Sequence, residues 1–270
     1  MRESRFGVGD LVRYYVFTAV TGISSANADK ASILLDNNGG NNYSYYVETG
    51  TATISGNSGF RMLSSPVSGQ ILGSLLTNLW TQGMTGADVS NGNANVWTLN
   101  VTGQSWTALS DISNSGTSLA AGQGFLVYVF EDTDYDGSAD LPVALSVSGS
   151  ENSGSATYPA SGSIAADAWG LAGNPYYSTI DWDDVTKTNV TSTAYVWDDA
   201  TSAYKSWNGS SGGLTNGLIA PFQGFWVEAS GGTGSITISP SHKATVAGTL
   251  YRVSDAQESG SVTFDVNSSE

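Results

Sequence analysis

Short runs of alternating apolar and polar residues recur along the chain, divided by Gly, Asn and Asp. Alternation with period two puts successive side chains on opposite faces of an extended strand, so the pattern predicts many short strands. The N-terminal stretch offers strands at 11–20, 31–35, 43–48 and 51–55, with Asn37-Asn38-Gly39-Gly40 as a turn between two of them. That order predicts a β-meander. Helical periodicity is rare. Its clearest instance is 69–82, where Ile71, Leu72, Leu75, Leu76, Leu79 and Trp80 share one face behind Ser68 as a candidate N-cap. A second short helix is expected from Thr179, with Asp181 and Asp183 in its first turn, although β-branched residues weaken it over 185–190.

A search for internal similarity reorganises this picture. Leu119-Ala-Ala-Gly-Gln-Gly-Phe-Leu-Val-Tyr-Val129 matches Ile219-Ala-Pro-Phe-Gln-Gly-Phe-Trp-Val-Glu-Ala229 at an offset of 100, and Val96-Trp97 matches Val196-Trp197 at the same offset. Upstream, Gly59-Phe60-Arg-Met-Leu-Ser-Ser-Pro66 resembles Ala168-Trp169-Gly-Leu-Ala-Gly-Asn-Pro175. Each copy therefore reads as an aromatic-led strand ending at Pro, a Trp-led hairpin whose second aromatic is Trp106 or Tyr204, and a Gln-Gly-Phe strand. Gly before an aromatic at a strand start signals a bulge or a close backbone approach, and the paired Gln is suited to hydrogen-bonding a loop. Pseudo-symmetric sandwiches and one extended sheet are both compatible with two such copies.

The expected fold is all-β, with antiparallel sandwich-like modules, two pseudo-repeats and one or two short helices. Residues 1–56 form the meander, packing on the first repeat. Residues 57–150 are copy one, 151–165 a Ser/Gly-rich linker, 166–240 copy two, and 241–270 C-terminal strands that could open a further module.

Composition narrows the environment. Only 12% of the 270 residues are charged, about half the usual share, so hydroxyls and amides must make the polar surface. Net charge is −15, which argues against nucleic acid, whose phosphates need clustered Lys and Arg, and against anionic membrane surfaces. It is compatible with divalent cations and neutral glycans. Cysteine is absent, excluding disulfides and thiolate metal sites. No apolar run approaches the ~18 residues that span a bilayer, so no membrane insertion is expected. The N-terminus lacks a signal-peptide h-region, and 261–266 alternates like a strand; both lead us to expect a mature form or a fragment of a longer protein.

The strings Phe60-Arg-Met-Leu-Ser-Ser-Pro66, Leu119-Ala-Ala-Gly-Gln-Gly-Phe-Leu-Val-Tyr-Val129, Trp169-Gly-Leu-Ala-Gly-Asn-Pro175, Ser178-Thr-Ile-Asp-Trp182 and Ile219-Ala-Pro-Phe-Gln-Gly-Phe-Trp-Val227 resemble the β-rich repeat region of large secreted or cell-surface proteins exported by type IX secretion systems. The resemblance covers about 55–240. It implies an extracellular or cell-surface location and no particular activity.

Three groups of residues could carry chemistry. Asp132-Thr-Asp134-Tyr-Asp136-Gly137-Ser-Ala-Asp140 places carboxylates at alternate positions with Gly at the sixth, like the start of a calcium loop. Asp132, Asp134, Asp136 and Asp140 would supply four oxygens to a structural calcium ion. The twelfth position is Val143 instead of a bidentate Glu, and a solvated acidic hairpin is the alternative. Trp182, Trp207 and Trp226, with Tyr204, are candidates for stacking on sugar rings; Trp97 and Trp197, matched between copies, read as packing residues. Catalytic constellations are thin. His242 is the one His, no Gly-x-Ser-x-Gly elbow is present, and Glu48, Glu131 and Glu228 are the glutamates considered for a glycosidase pair. No catalytic residue is assigned. The expectation is a non-enzymatic structural or adhesive module that associates with itself, other surface proteins or polysaccharide. The alternative is a carbohydrate-binding module using exposed Trp side chains, and a polysaccharide hydrolase follows behind.

Overall fold

The computed structural model describes residues 11–14, 16–19, 33–36, 43–46, 52–67, 69–113, 118–147 and 149–251. The chain divides into one unit formed by Met1–Glu48 with Glu258–Glu270 and another formed by Thr49–Gln257. In the first, Leu11–Tyr14 pairs antiparallel with Tyr43–Tyr46, and Val16–Ala19 with Ile33–Asp36. The pairing is nested, so this is not the expected meander: the segments before and after the Asn-Gly turn both pair back to the N-terminal strand region and not to each other. That turn and the strand expected at 261–266 lie outside the described residues.

The second unit is all-β, and its two copies build two four-stranded antiparallel sheets of one design. In copy one the strands are β1 (Gly59–Leu63), β2 (Val96–Asn100), β3 (Ser105–Ala108) and β4 (Phe125–Val129), in the spatial order β1-β4-β2-β3. In copy two they are β5 (Trp169–Gly173), β6 (Ala194–Asp198), β7 (Ala203–Trp207) and β8 (Gly224–Glu228), in the order β5-β8-β6-β7. Register follows the sequence match: Leu63 lies opposite Phe125, and Ala172 opposite Phe225.

Alternation assigns one face of each sheet to a core. Phe125, Val127 and Val129 pack with Leu72, Leu75, Leu76, Leu79 and Ile112. Phe225 and Val227 pack with Tyr176, Trp182, Ile236 and Ile238. Burying side chains of this size removes about 1.5–3 kcal/mol of unfavourable hydration each. The intervening positions, Leu126 and Tyr128 or Trp226 and Glu228, are half-buried on the opposite faces.

Helix is scarcer than its periodicity suggests. Only Leu72–Leu75 is α-helical among the described residues. The apolar stripe is real, since Leu72, Leu75, Leu76 and Leu79 are all buried, but neighbours take the backbone groups that a longer helix needs. Ser146 N–H donates to the Leu75 carbonyl at 3.0 Å, and Leu79 N–H turns back to Leu76 at 2.8 Å. No helix begins at Thr179. Ile180–Asp181 is a strand pairing with Leu218–Ile219, and Thr186–Thr188 pairs with Ser235–Ile238, as β-branched residues prefer. Among the described residues no helix is long and apolar enough to cross a membrane.

The two copies dock reciprocally. Leu63, ending β1, bridges Gln223 of copy two, and Ala172 on β5 bridges Gln123 of copy one. Ser64 N–H donates to Phe222 O, and Gly173 N–H to Gly122 O, both at 2.8 Å. This explains the Gln-Gly-Phe motif. A Cβ on Gly124 would stand 2.5 Å from Ala172 O, and one on Gly224 would stand 2.8 Å from Leu63 O. Gln223 Nε2 donates to Met62 O across the junction at 2.9 Å. The matched positions Gly122 and Phe222 both have positive φ, 80° and 63°. A bulky residue there costs about 1–2 kcal/mol, offset in copy two by the Phe222 ring, which is fully buried in the core of copy one.

Hairpin tips complete the docking. Gln104, in the β2–β3 turn, holds the Trp169 backbone with both ends of its amide, each bond 2.9 Å. Asp199, in the β6–β7 turn, pairs with buried Arg61 at 3.0 Å. The segment read as a linker is built into this junction. Ala156–Tyr158 is a strand on Ser235–Ile238, and the Asn152 amide donates to the carbonyls of the matched prolines Pro66 and Pro175, both at 3.0 Å. Its Ser and Gly residues are exposed, while Asn152, Ala156, Tyr158 and Ile164 are buried and anchor the segment.

Asn152→Ala leaves the buried Pro175 carbonyl without that donor and should cost about 2 kcal/mol in urea unfolding. Two tyrosines give a pH signature. Burial pushes the Tyr158 hydroxyl up to about 12, and burial with the Glu151 charge pushes Tyr176 up to about 12. Folded values above the unfolded value stabilise the fold below about pH 10. That stabilisation is lost as pH rises from about 10 to about 12, so melting temperature should fall across this window, with two tyrosines withheld from the 295 nm titration until its upper end.

Candidate functional site

Where the two sheets meet, their non-core faces leave an aromatic cleft. Its larger lobe, about 520 Å³, lies between the copy-one hairpin residues Leu99, Gln104, Ser105 and Trp106 and the copy-two residues Trp169, Tyr195, Tyr204 and Trp226. A smaller lobe of about 280 Å³ continues past Trp106, Tyr204 and Trp226 to Phe60, Met62, Leu126 and Trp197. Strand alternation places these rings. Tyr195 and Trp197 project from the opposite side of β6 to buried Ala194 and Val196, and Trp226 projects between buried Phe225 and Val227.

The rings brace one another edge to face. Trp106 meets Trp226 at 5.6 Å and 65°, Trp169 meets Trp226 at 6.3 Å and 86°, and Trp197 meets Tyr204 at 5.1 Å and 67°. Such pairs are worth about 0.5–1.5 kcal/mol each beyond area burial. Among the described residues no charged side chain lines either lobe. The Gln104 amide is taken up by main-chain partners at Val101 and Trp169. The Trp197 indole nitrogen is buried with no hydrogen-bond partner.

Of the aromatics singled out in the sequence, the structure brings Trp226 and Tyr204 together in this cleft. It does not bring Trp182 or Trp207. Trp182 is fully buried against Phe225 at 5.7 Å, and its indole N–H donates to Ser192 O. Falling outside the matched aromatics does not put Trp182 on the surface, because the turn folds around Lys187. The lysine ammonium donates to Trp182 and Val185 carbonyls and lies 4.2 Å from the Trp182 ring centroid. Burial pulls the Lys187 amine down and pushes the Asp181 carboxyl up, the latter reinforced by the neighbouring Asp183 and Asp184 charges. Trp207 is half-buried, and its N–H donates to both oxygens of Asp183 at 3.0 and 3.1 Å. The three tryptophans therefore do not form a coplanar exposed platform.

Among the cleft aromatics, Trp106 and Trp169 were read from the sequence only as hairpin and strand markers, and Tyr195 was not singled out. One signal was available. In Phe125-Leu-Val-Tyr-Val129 and Ala194-Tyr-Val-Trp-Asp198 both alternating sets are largely apolar, which requires cover on both faces of the sheet.

The acidic loop has a definite shape. Ligand atoms of Asp132, Asp134 and Asp136 lie within 4.8 Å of one another. Asp132 accepts from Asp136 and Gly137 N–H, and Asp136 from Ser138 N–H. Tyr135 at positive φ stacks on Trp80 at 4.8 Å, fixing the loop from outside. Asp140 is not in the cluster. Its carboxylate accepts from Thr133 N–H and Oγ1 and closes the neck of the loop. Three of the four expected ligands converge and the fourth is a brace.

The candidate catalytic groups stand apart. His242 Nδ1 accepts Ser239 N–H at 3.1 Å as part of a helical cap. Glu131 and Glu228 do not line the cleft, and Glu48 lies outside the described residues. Comparison with protein-family models, curated proteins and solved structures finds no match to this chain.

Proposed function

We propose that this chain is a non-enzymatic, extracellular adhesive module of a secreted bacterial protein, and that it holds carbohydrate in the aromatic cleft between its two repeats. The location rests on the resemblance to type IX repeat regions and on the low-charge composition. The ligand class rests on one observation: a cleft in the ordinary size range of ligand sites is walled by Trp106, Trp169, Trp226, Tyr195 and Tyr204. Indole and phenol rings present apolar faces to the C–H faces of a pyranose, while their N–H and O–H groups serve its hydroxyls. Aliphatic walls would suit a lipid better. The lack of a carboxylate among the lining residues favours binding over hydrolysis, which needs an acid and its partner at a set separation. The exposed edge strand Ser105–Ala108 favours self-association on its own, but its Trp106 already serves the cleft.

In affinity electrophoresis against a panel of soluble polysaccharides, the protein should be retarded by at least one, and Trp226→Ala should weaken that binding about tenfold, the loss of roughly one good ring contact. A folded protein retarded by none of the panel would overturn the reading.

We also propose that the loop of Asp132, Asp134 and Asp136 takes a structural calcium ion. Three converging carboxylates repel one another, and a hard divalent cation relieves that repulsion with oxygen ligands. Millimolar calcium should raise the melting temperature by about 3–5 °C over the protein in chelator, and Asp134→Asn should abolish the rise. An unchanged melting temperature in the parent chain would rule this out.

A further inference from the structure

We infer that the cleft binds a single uncharged polysaccharide chain along its length, not a crystalline polysaccharide face. This inference rests on the carbohydrate reading above. Three observations carry it.

The first is ring orientation. A flat crystalline face needs coplanar rings, and the rings here stand at 65° and 86° to one another. Such walls fit a solvated chain whose successive residues are rotated about the chain axis. The second is continuity. The two lobes share Trp106, Tyr204 and Trp226, so the cleft runs from the Trp169 end through these three residues to the Trp197 end. A ligand filling both lobes is longer than one filling the larger alone, and contacts in the smaller lobe are open only to longer chains. The third is polarity. Among the described residues the lining carries no cation to pair with uronate or sulfate groups, and a net charge of −15 repels a polyanion at long range. Neutral hydroxyls are the groups the walls can serve.

Trp197 marks the far end of this path. Its side chain lines the smaller lobe, while its indole nitrogen is closed off from solvent, so what it offers a ligand there is ring surface. The matched Trp97 also lies at a half-buried position of its sheet, but of the two only Trp197 lines the cleft.

Calorimetric titration of the full chain with neutral oligosaccharides derived from the polysaccharide that retards it tests this. Affinity should rise at least about tenfold from disaccharide to hexasaccharide, polygalacturonate should not bind, and the crystalline form of a neutral polysaccharide should not retain the protein. Trp197→Ala removes ring surface from the smaller lobe and should weaken hexasaccharide binding about fivefold more than it weakens disaccharide binding. Should Trp197→Ala fail to fold, Phe60→Ala, at an exposed position of the smaller lobe, replaces it, with the same expected loss confined to longer chains. Equal affinity for disaccharide and hexasaccharide, preference for polygalacturonate, or retention on the crystalline form would overturn this inference and leave carbohydrate binding standing. Absence of binding to every glycan by the folded protein would overturn both.

Discussion

The structure depends on one close approach of backbone to backbone, made twice. At Gly124 and again at Gly224 the Gln-Gly-Phe strand of one copy passes so near the first strand of the other that no side chain fits. Each passage brings a main-chain hydrogen bond into a region closed to water, where an unmade bond would be costly. Because each copy supplies both a Gly-bearing strand and the strand it presses against, neither passage can form without the other copy in place. The sheets are thereby held at a fixed separation, and their non-core faces are left looking at each other.

On this near-symmetric backbone the side chains are not symmetric, and the difference shapes the cleft. Copy two places Phe222 where copy one has Gly122, sending a ring into the neighbouring core. One hairpin tip carries Gln104, which grips a strand edge through an amide; the other carries Asp199, which meets Arg61 as a buried ion pair. Removing Asp199 would take a carboxylate from the buried Arg61 guanidinium, a strongly destabilising change. Trp226 stands where copy one has Leu126, so the wall contributed by copy two is the more aromatic. Duplication supplied two equal frames, and divergence made one cleft between them.

The sequence carried the frame more clearly than the site. Matching of Gln123-Gly124-Phe125 with Gln223-Gly224-Phe225 left a bulge and a close backbone approach open, and the structure has the close approach at both glycines. It could not say which backbone approaches, since the partner strand comes from the other copy, far away in sequence. The helix expected at 69–82 failed for a related reason: its apolar stripe is intact, but Ser146 claims the Leu75 carbonyl, and no local pattern reports a claim from that distance. Trp182 lies outside the aromatics matched between the copies and was read as a surface candidate for that reason, yet the turn that folds around Lys187 carries it into the core. Clustering of Asp132, Asp134 and Asp136 follows from their local spacing, whereas Asp140, expected beside them, accepts from Thr133 instead.

The cleft sits at a boundary that neither repeat possesses alone, and this bears on how it recognises a ligand. A site within one sheet could widen or narrow only by deforming that sheet. Here the walls belong to two rigid frames, joined at the Gly124 and Gly224 crossings and tied at the hairpin tips, with rings from both sides already packed edge to face. Trp106 and Trp226 come from opposite walls, so a ligand entering between the lobes meets rings whose orientation is set before it arrives. Preorganisation of that kind lowers the entropy lost on binding. It also restricts the site to ligands that match the existing angles. The same Gly crossings that fix the fold therefore fix the spacing of the aromatic walls, and a change that loosens the junction should act on recognition as well as on stability.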